Sequence, residues 1–261
     1  MIEPQRIGRF LVVDESGHVR PDVADANVND TWKPLVAFVT RSLMARPGVR
    51  SVYLRGSIPR GLAIENVSDA DFIYFSEQSF DAADFDLRER ANANFPFVKD
   101  VEILRLDRVG FGRVHRPQQR PYFHMLVKTQ CLFLAGDDVA RHIAPFKLGP
   151  EMVSHVFSLA SEFATLQVRL REGRHAGGEH IVSQWFSRRV VRSGLEVTMD
   201  RCDRFTRDLY LCYEQFAAFY PRRSEQMYRV LINCLNGREC FTQFEDLVMF
   251  LADEGRRLHA G

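Results

Sequence analysis

The spacing of apolar residues changes once along this chain, and that change limits what the chain can become. Up to about residue 145, short strand-like runs alternate with helical ones; beyond it, every long run repeats at helical period. In the first part, Thr31 is the expected cap of a helix carrying Leu35, Phe38, Val39 and Leu43 on one face, which Pro47-Gly48 ends. A strand at Ser51–Leu54 and a Gly56-Ser57 turn follow, then a strand at Asp69–Phe75, an exposed helix over 82–94 and a strand at Val98–Leu106. The first thirty residues offer no more than a small hairpin around Phe10–Val13 and Val19. In the second part, runs at 151–172, 179–194, 195–220, 224–236 and 244–258 are divided by short breaks at Gly173, Gly177-Gly178, Gly194, Pro221 and Gly237. The sequence therefore predicts an α/β (α+β) layer, a mixed sheet with helices over residues 1–145, followed by an all-α helical bundle over 146–261.

At 261 residues and 46% hydrophobic, the chain has apolar material for such cores without disulfides or metals to hold them. Its net charge of +1 gives no global pull toward nucleic acid or an anionic membrane. The basic side is almost all arginine, the lysines being only Lys33, Lys99, Lys128 and Lys147. Arginine suits bidentate phosphate contacts. Cys131, Cys202, Cys212, Cys234 and Cys240 form no CxxC pair and read as reduced core residues. No window approaches the ~20 apolar residues of a membrane span, and MIEPQRIGRF has no secretory character. The expectation is a soluble, cytoplasmic protein with no membrane partner.

Chemistry concentrates in Leu54-Arg55-Gly56-Ser57-Ile58-Pro59-Arg60-Gly61 and in Val67-Ser68-Asp69-Ala70-Asp71-Phe72. A strand that ends in Gly-Ser and opens a helix would aim backbone N–H groups and a hydroxyl at an anion such as a triphosphate. Twelve residues after Ser57, Asp69 begins the next strand. Residues two apart on a strand share a face, so Asp69 and Asp71 present carboxylates to one point, with Cα atoms ~6–7 Å apart. Two hard anions beside a phosphate cradle suit Mg²⁺, which also relieves their mutual repulsion. Glu102, between Val101 and Ile103, is costly to bury without a partner. If its strand lies beside that of Asp71, Glu102 becomes a third metal ligand or the general base for an attacking hydroxyl. On an edge strand it would instead face water.

This pattern resembles the DNA polymerase beta-like nucleotidyltransferase superfamily: Gly-Ser, a spacer, Asp-x-Asp and a later strand acid. The stretch LRGSIPRGLAIENVSDADF is similar to minimal and antibiotic-modifying members, such as kanamycin and streptomycin nucleotidyltransferases. In those, an α/β catalytic domain precedes a helical domain that shapes the acceptor pocket. The motif resemblance spans roughly residues 50–106, and Ala70 is smaller than the usual residue between the two acids. It implies an enzyme that transfers a nucleoside monophosphate from a nucleoside triphosphate by a two-metal mechanism. Asp69, Asp71 and Glu102 would be the catalytic and metal-binding carboxylates for two Mg²⁺ ions. Gly56, Ser57 and Arg60 would hold the nucleotide phosphates.

Three acceptors compete: a small molecule such as an aminoglycoside, a protein side chain, and an RNA 3′ end. Near-neutral charge argues against a long RNA track. A cationic small molecule would suit Glu162, Glu179, Asp208 and Glu214 in the helical half, where Trp185 reads as a core residue. His115, His124 and His155 show no ligand spacing. A homodimer remains open. The alternative is a non-catalytic nucleotide- or partner-binding module of the same fold, such as an antitoxin-type protein; the three carboxylates count against it.

Overall fold

Strand parity decides which residues reach the site. The computed structural model describes residues 4–107, 122–149, 152–173 and 178–260. Val49–Arg55 (β1) and Ala70–Ser76 (β2) pair antiparallel, with Leu54 opposite Phe72 and Arg55 opposite Asp71. Val101–Leu106 (β3) runs parallel to β2, so the chain must cross over between them, and Asp81–Asn94 (α2) lies in that connection. Cys131–Gly136 (β4) pairs antiparallel with the other side of β1, giving the order β3-β2-β1-β4.

Lys33–Met44 (α1) and α2 supply Leu35, Val39, Leu43, Leu87 and Ala91 to the core that Val52, Leu54, Ala70, Phe72, Tyr74 and Val101 enter from the sheet. Side chains alternate along a strand. With those positions turned toward the helices, Arg55, Asp71 and Glu102 lie on the opposite face. The sheet is the mixed one that the sequence predicts, enlarged by Tyr122–Gln130 (α3) and β4, which it does not.

Two local expectations change. Thr31 does not cap α1; Trp32 occupies that place without a side-chain hydrogen bond, and Pro34 stands in the first turn, where no N–H is needed. The N-terminal hairpin is a single bridge between Val13 and Val19, closed by Asp14, whose Oδ1 accepts from the N–H groups of Ser16 and His18 at 2.9 Å.

The chain divides into two compact units. One is Val12–Phe146; the other joins the segment through Leu11 to the chain from Lys147 onward. Residues 4–11 thus leave the sheet part, to which the sequence reading assigned them. Hydrogen bonds explain it. Leu11 N donates to Phe205 O at 2.7 Å, Thr206 Oγ1 to Arg9 O at 2.8 Å, and Gly8 N to Asp208 Oδ2 at 3.1 Å.

The elements of this second unit are Val156–Arg171 (α4), Glu179–Glu196 (α5), Leu209–Phe219 (α6), Ser224–Asn236 (α7) and Glu245–Ala260 (α8). The single helix expected over 195–220 is therefore broken. Its middle bonds the N-terminal segment instead, and Asp208 restarts the helix by accepting from Leu211 N at 2.9 Å. Gly194, expected as a break, lies inside α5. A Cβ there would stand 2.6 Å from Met227 Cε and 3.2 Å from the Phe216 ring, so the glycine lets α6 and α7 approach. Phe163, Phe186 and Phe241 meet in the core with ring centroids 5.4–5.7 Å apart. Cys131, Cys202, Cys212 and Cys234 are buried and Cys240 partly so. No described helix is long and apolar enough to cross a membrane.

Candidate active site

The site begins where β1 ends. Gly56 has φ +86°, a left-handed backbone open to glycine at little cost, and a Cβ there would collide with Asp71 Oδ2. Glycine thus brings the turn against the Asp71 carboxylate. Ser57 follows, its carbonyl accepting from Arg60 N at 3.2 Å and Leu62 N at 3.0 Å. Its hydroxyl makes no hydrogen bond among the described residues. The helix expected after Gly-Ser is only a 3₁₀ turn, Ile58–Arg60, stopped by Gly61. So short a turn sums too few peptide dipoles to act as a helix terminus. What remains to grip an anion is the Ser57 hydroxyl and the local backbone.

The carboxylates come next. In the parallel β2–β3 pair Asp71 is the register partner of Glu102, and across β1–β2 Asp71 faces Arg55. Glu102, Asp71 and Arg55 therefore form one row over three strands. Arg55 Nη2 lies 2.7 Å from Asp71 Oδ1 and 3.4 Å from Glu102 Oε2. The Arg55–Asp71 pair is sheltered, with side chains 24% and 18% exposed. Glu102 is 55% exposed at its side chain. Its carboxyl is nonetheless pushed above the ordinary glutamate range, by partial desolvation first and then by the Asp71 charge and a hydrogen bond to Asp71, with Arg55 pulling the other way. Asp69, just ahead of β2, has Oδ1 3.4 Å from Lys99 Nζ in an ion pair. That oxygen is shielded from solvent and takes no hydrogen bond.

This donor set can be tested against Mg²⁺. Asp71 on β2 and Asp69 just ahead of it offer hard carboxylate oxygens, one of them buried without a hydrogen bond, and Mg²⁺ is commonly held by one or two carboxylates with phosphate oxygens and waters completing the shell. The pair fits. Among the described residues, however, no group of three or more His, Cys, Asp or Glu is placed to hold a metal ion. Glu102, 55% exposed and 3.4 Å from Arg55, is not part of such a group.

Other candidates are engaged elsewhere. Arg60 Nε donates to Asp22 Oδ2 at 2.6 Å, and both side chains are largely buried, so Arg60 ties the N-terminal stretch to the turn. Asp208 is the cap of α6 described above. Glu162 is paired with Arg189 at 2.5 Å. Glu214 lies 3.8 Å from Arg6 in a largely solvated pair, and Glu179 is exposed in the first turn of α5. Trp185 is not core: it is 45% exposed, with the Arg189 guanidinium 5.0 Å from its ring. His155 is buried, and desolvation with Arg207, Arg189 and Arg192 nearby pushes its pKa down to about 2. His115 lies outside the described residues.

Arg55 and Lys99 are the site residues that the sequence reading passed over. The available signal was Arg55 itself, a charge closing the buried strand Val52-Tyr53-Leu54 directly before Gly56.

No family model and no curated protein matches the chain. Among solved structures, it is similar to a spectinomycin adenyltransferase from Enterococcus faecialis, determined with ATP and spectinomycin. The match covers 87% of this chain and 98% of the other, with a TM-score of 0.51 and 12% sequence identity. At that identity the likeness is one of fold, and the fold is one on which a nucleotidyltransferase is built.

Proposed function

We propose that this chain is a magnesium-dependent nucleotidyltransferase that moves a nucleoside monophosphate from a nucleoside triphosphate to a hydroxyl of a small molecule of aminoglycoside type. The observation that carries the reading is the row Glu102–Asp71–Arg55, set across three strands beside the Gly56-Ser57 turn. The fold shared with an adenyltransferase solved with ATP and an antibiotic supports the choice of nucleotide and acceptor class.

In this reading Ser57 Oγ donates to the terminal phosphates of the nucleotide, and Gly56 keeps the turn close against Asp71. Asp69 and Asp71 would hold Mg²⁺, which supplies charge neutralisation for the phosphates and the leaving pyrophosphate. Glu102 takes the proton from the acceptor hydroxyl as its oxygen bonds to the α-phosphorus and the bridge to the β-phosphate breaks. A carboxyl held above the ordinary glutamate range is a better proton acceptor than an ordinary one, and its exposure lets an acceptor reach it.

The test is mass spectrometry of the products formed from ATP, GTP, CTP or UTP with Mg²⁺ and a panel of aminoglycosides that includes spectinomycin. An acceptor heavier by one nucleoside monophosphate is the expected result. No such adduct with the panel, and none in a small-molecule extract of cells, would overturn the proposal.

A further inference from the structure

The Arg55 side chain occupies an unusual place for a cation: between two of the three acids proposed to do the chemistry. Its guanidinium is 2.7 Å from Asp71 and 3.4 Å from Glu102, it is three-quarters sheltered, and it extends from the central strand β1. Lys99 beside Asp69 is different, 54% exposed at the end of a flexible stem. A fixed, sheltered positive charge repels a divalent ion placed on the same carboxylate far more than a solvated one does.

We propose that Arg55 is a positioning residue that keeps Asp71 a poor ligand for a free divalent cation, so that the metal enters with the nucleotide. The triphosphate brings the negative charge that offsets the guanidinium, and the cation then joins Asp71, whose orientation Arg55 has already fixed. Metal and nucleotide binding are in consequence coupled, and the coupling is reciprocal. This rests on the nucleotidyl-transfer reading.

The test uses Mn²⁺ as the probe, on the full chain. Electron paramagnetic resonance follows Mn²⁺ binding without nucleotide, and protein fluorescence follows binding of the preformed complex of Mn²⁺ with the α,β-methylene analogue of ATP. Wild type should take the complex at least ~10-fold more tightly than Mn²⁺ alone, and Arg55→Gln should tighten nucleotide-free Mn²⁺ binding by roughly 10-fold or more. General damage to the site would loosen binding rather than tighten it. Lys99→Gln should shift it less, and Arg55→Lys should stay near wild type.

Unchanged nucleotide-free affinity in Arg55→Gln, or an equal gain in Lys99→Gln, would overturn the role of Arg55 and leave the enzyme reading standing. If Arg55→Gln does not fold, the wild-type comparison decides alone: equal affinity for free Mn²⁺ and for the complex overturns the proposal. A wild type that binds neither loses the enzyme reading and this inference together.

Discussion

Asp71 and Glu102 stand side by side as register partners on parallel strands, with the guanidinium of Arg55 reaching both. Partial desolvation first, and then the Asp71 charge beside it, raise the pKa of Glu102. As a general base Glu102 works deprotonated. The rate should therefore fall as pH drops through a value above the ordinary glutamate range. Glu102→Gln should lower kcat by about 10²–10⁴-fold and abolish that acid limb while nucleotide binding persists. A variant with near wild-type turnover and the same pH profile would remove Glu102 from the chemistry.

Gly56→Ala forces a Cβ into Asp71 at a left-handed backbone angle. The expected cost is about 1–3 kcal/mol of stability, together with loss of transfer as Asp71 is displaced. Urea unfolding measures the first. An unchanged midpoint would mean that turn and carboxylate are not fitted as described.

The two aspartates should separate in stability though both are needed for transfer. Asp71→Asn leaves the sheltered Arg55 without its nearest charge and should cost about 1–3 kcal/mol. Asp69→Asn loses only a solvated lysine partner, worth ~0.5 kcal/mol or less. Equal melting shifts for the two would contradict the ranking.

Periodicity and spacing made the strands that carry these residues readable. The apolar run around Glu102 marked it as a strand acid, and alternation along β2 puts Asp71 on the face away from the helices. What stayed hidden depended on pairing between distant segments. Arg55 looks like a solvated charge until β2 is laid antiparallel to β1, which sets it against Asp71. Arg60 looks available to a phosphate until the N-terminal stretch returns with Asp22. The 195–220 run has helical composition throughout, yet its middle is held by hydrogen bonds from Phe205 O and the Thr206 and Asp208 side chains to the backbone of residues near the N-terminus, some two hundred positions away. Trp185 reads as a core residue in the sequence, whereas its ring lies against Arg189 at the surface.

Glu196 offers a check on the second unit. It is fully buried, accepting from Val156 N at 2.9 Å and from Ser154 Oγ at 3.2 Å, and burial raises its pKa despite those bonds. A carboxyl raised in the folded state binds its proton more tightly there than in the unfolded chain. Its contribution is most favourable below the unfolded pKa and declines as pH rises toward the folded value. Glu196→Gln should flatten that part of the stability profile, seen as urea midpoints that change less between mildly acidic and neutral pH. An identical pH dependence in the variant would show that Glu196 does not titrate in this way.

The most direct measurement of the central claim is pyrophosphate release from a nucleoside triphosphate by the purified chain with Mg²⁺ and an accepted aminoglycoside, compared with Asp71→Asn under the same conditions. The account predicts one pyrophosphate per acceptor modified in wild type, loss on chelating the metal, and no release above background in the variant. Release that continues undiminished in Asp71→Asn, or wild-type modification without pyrophosphate, would contradict it.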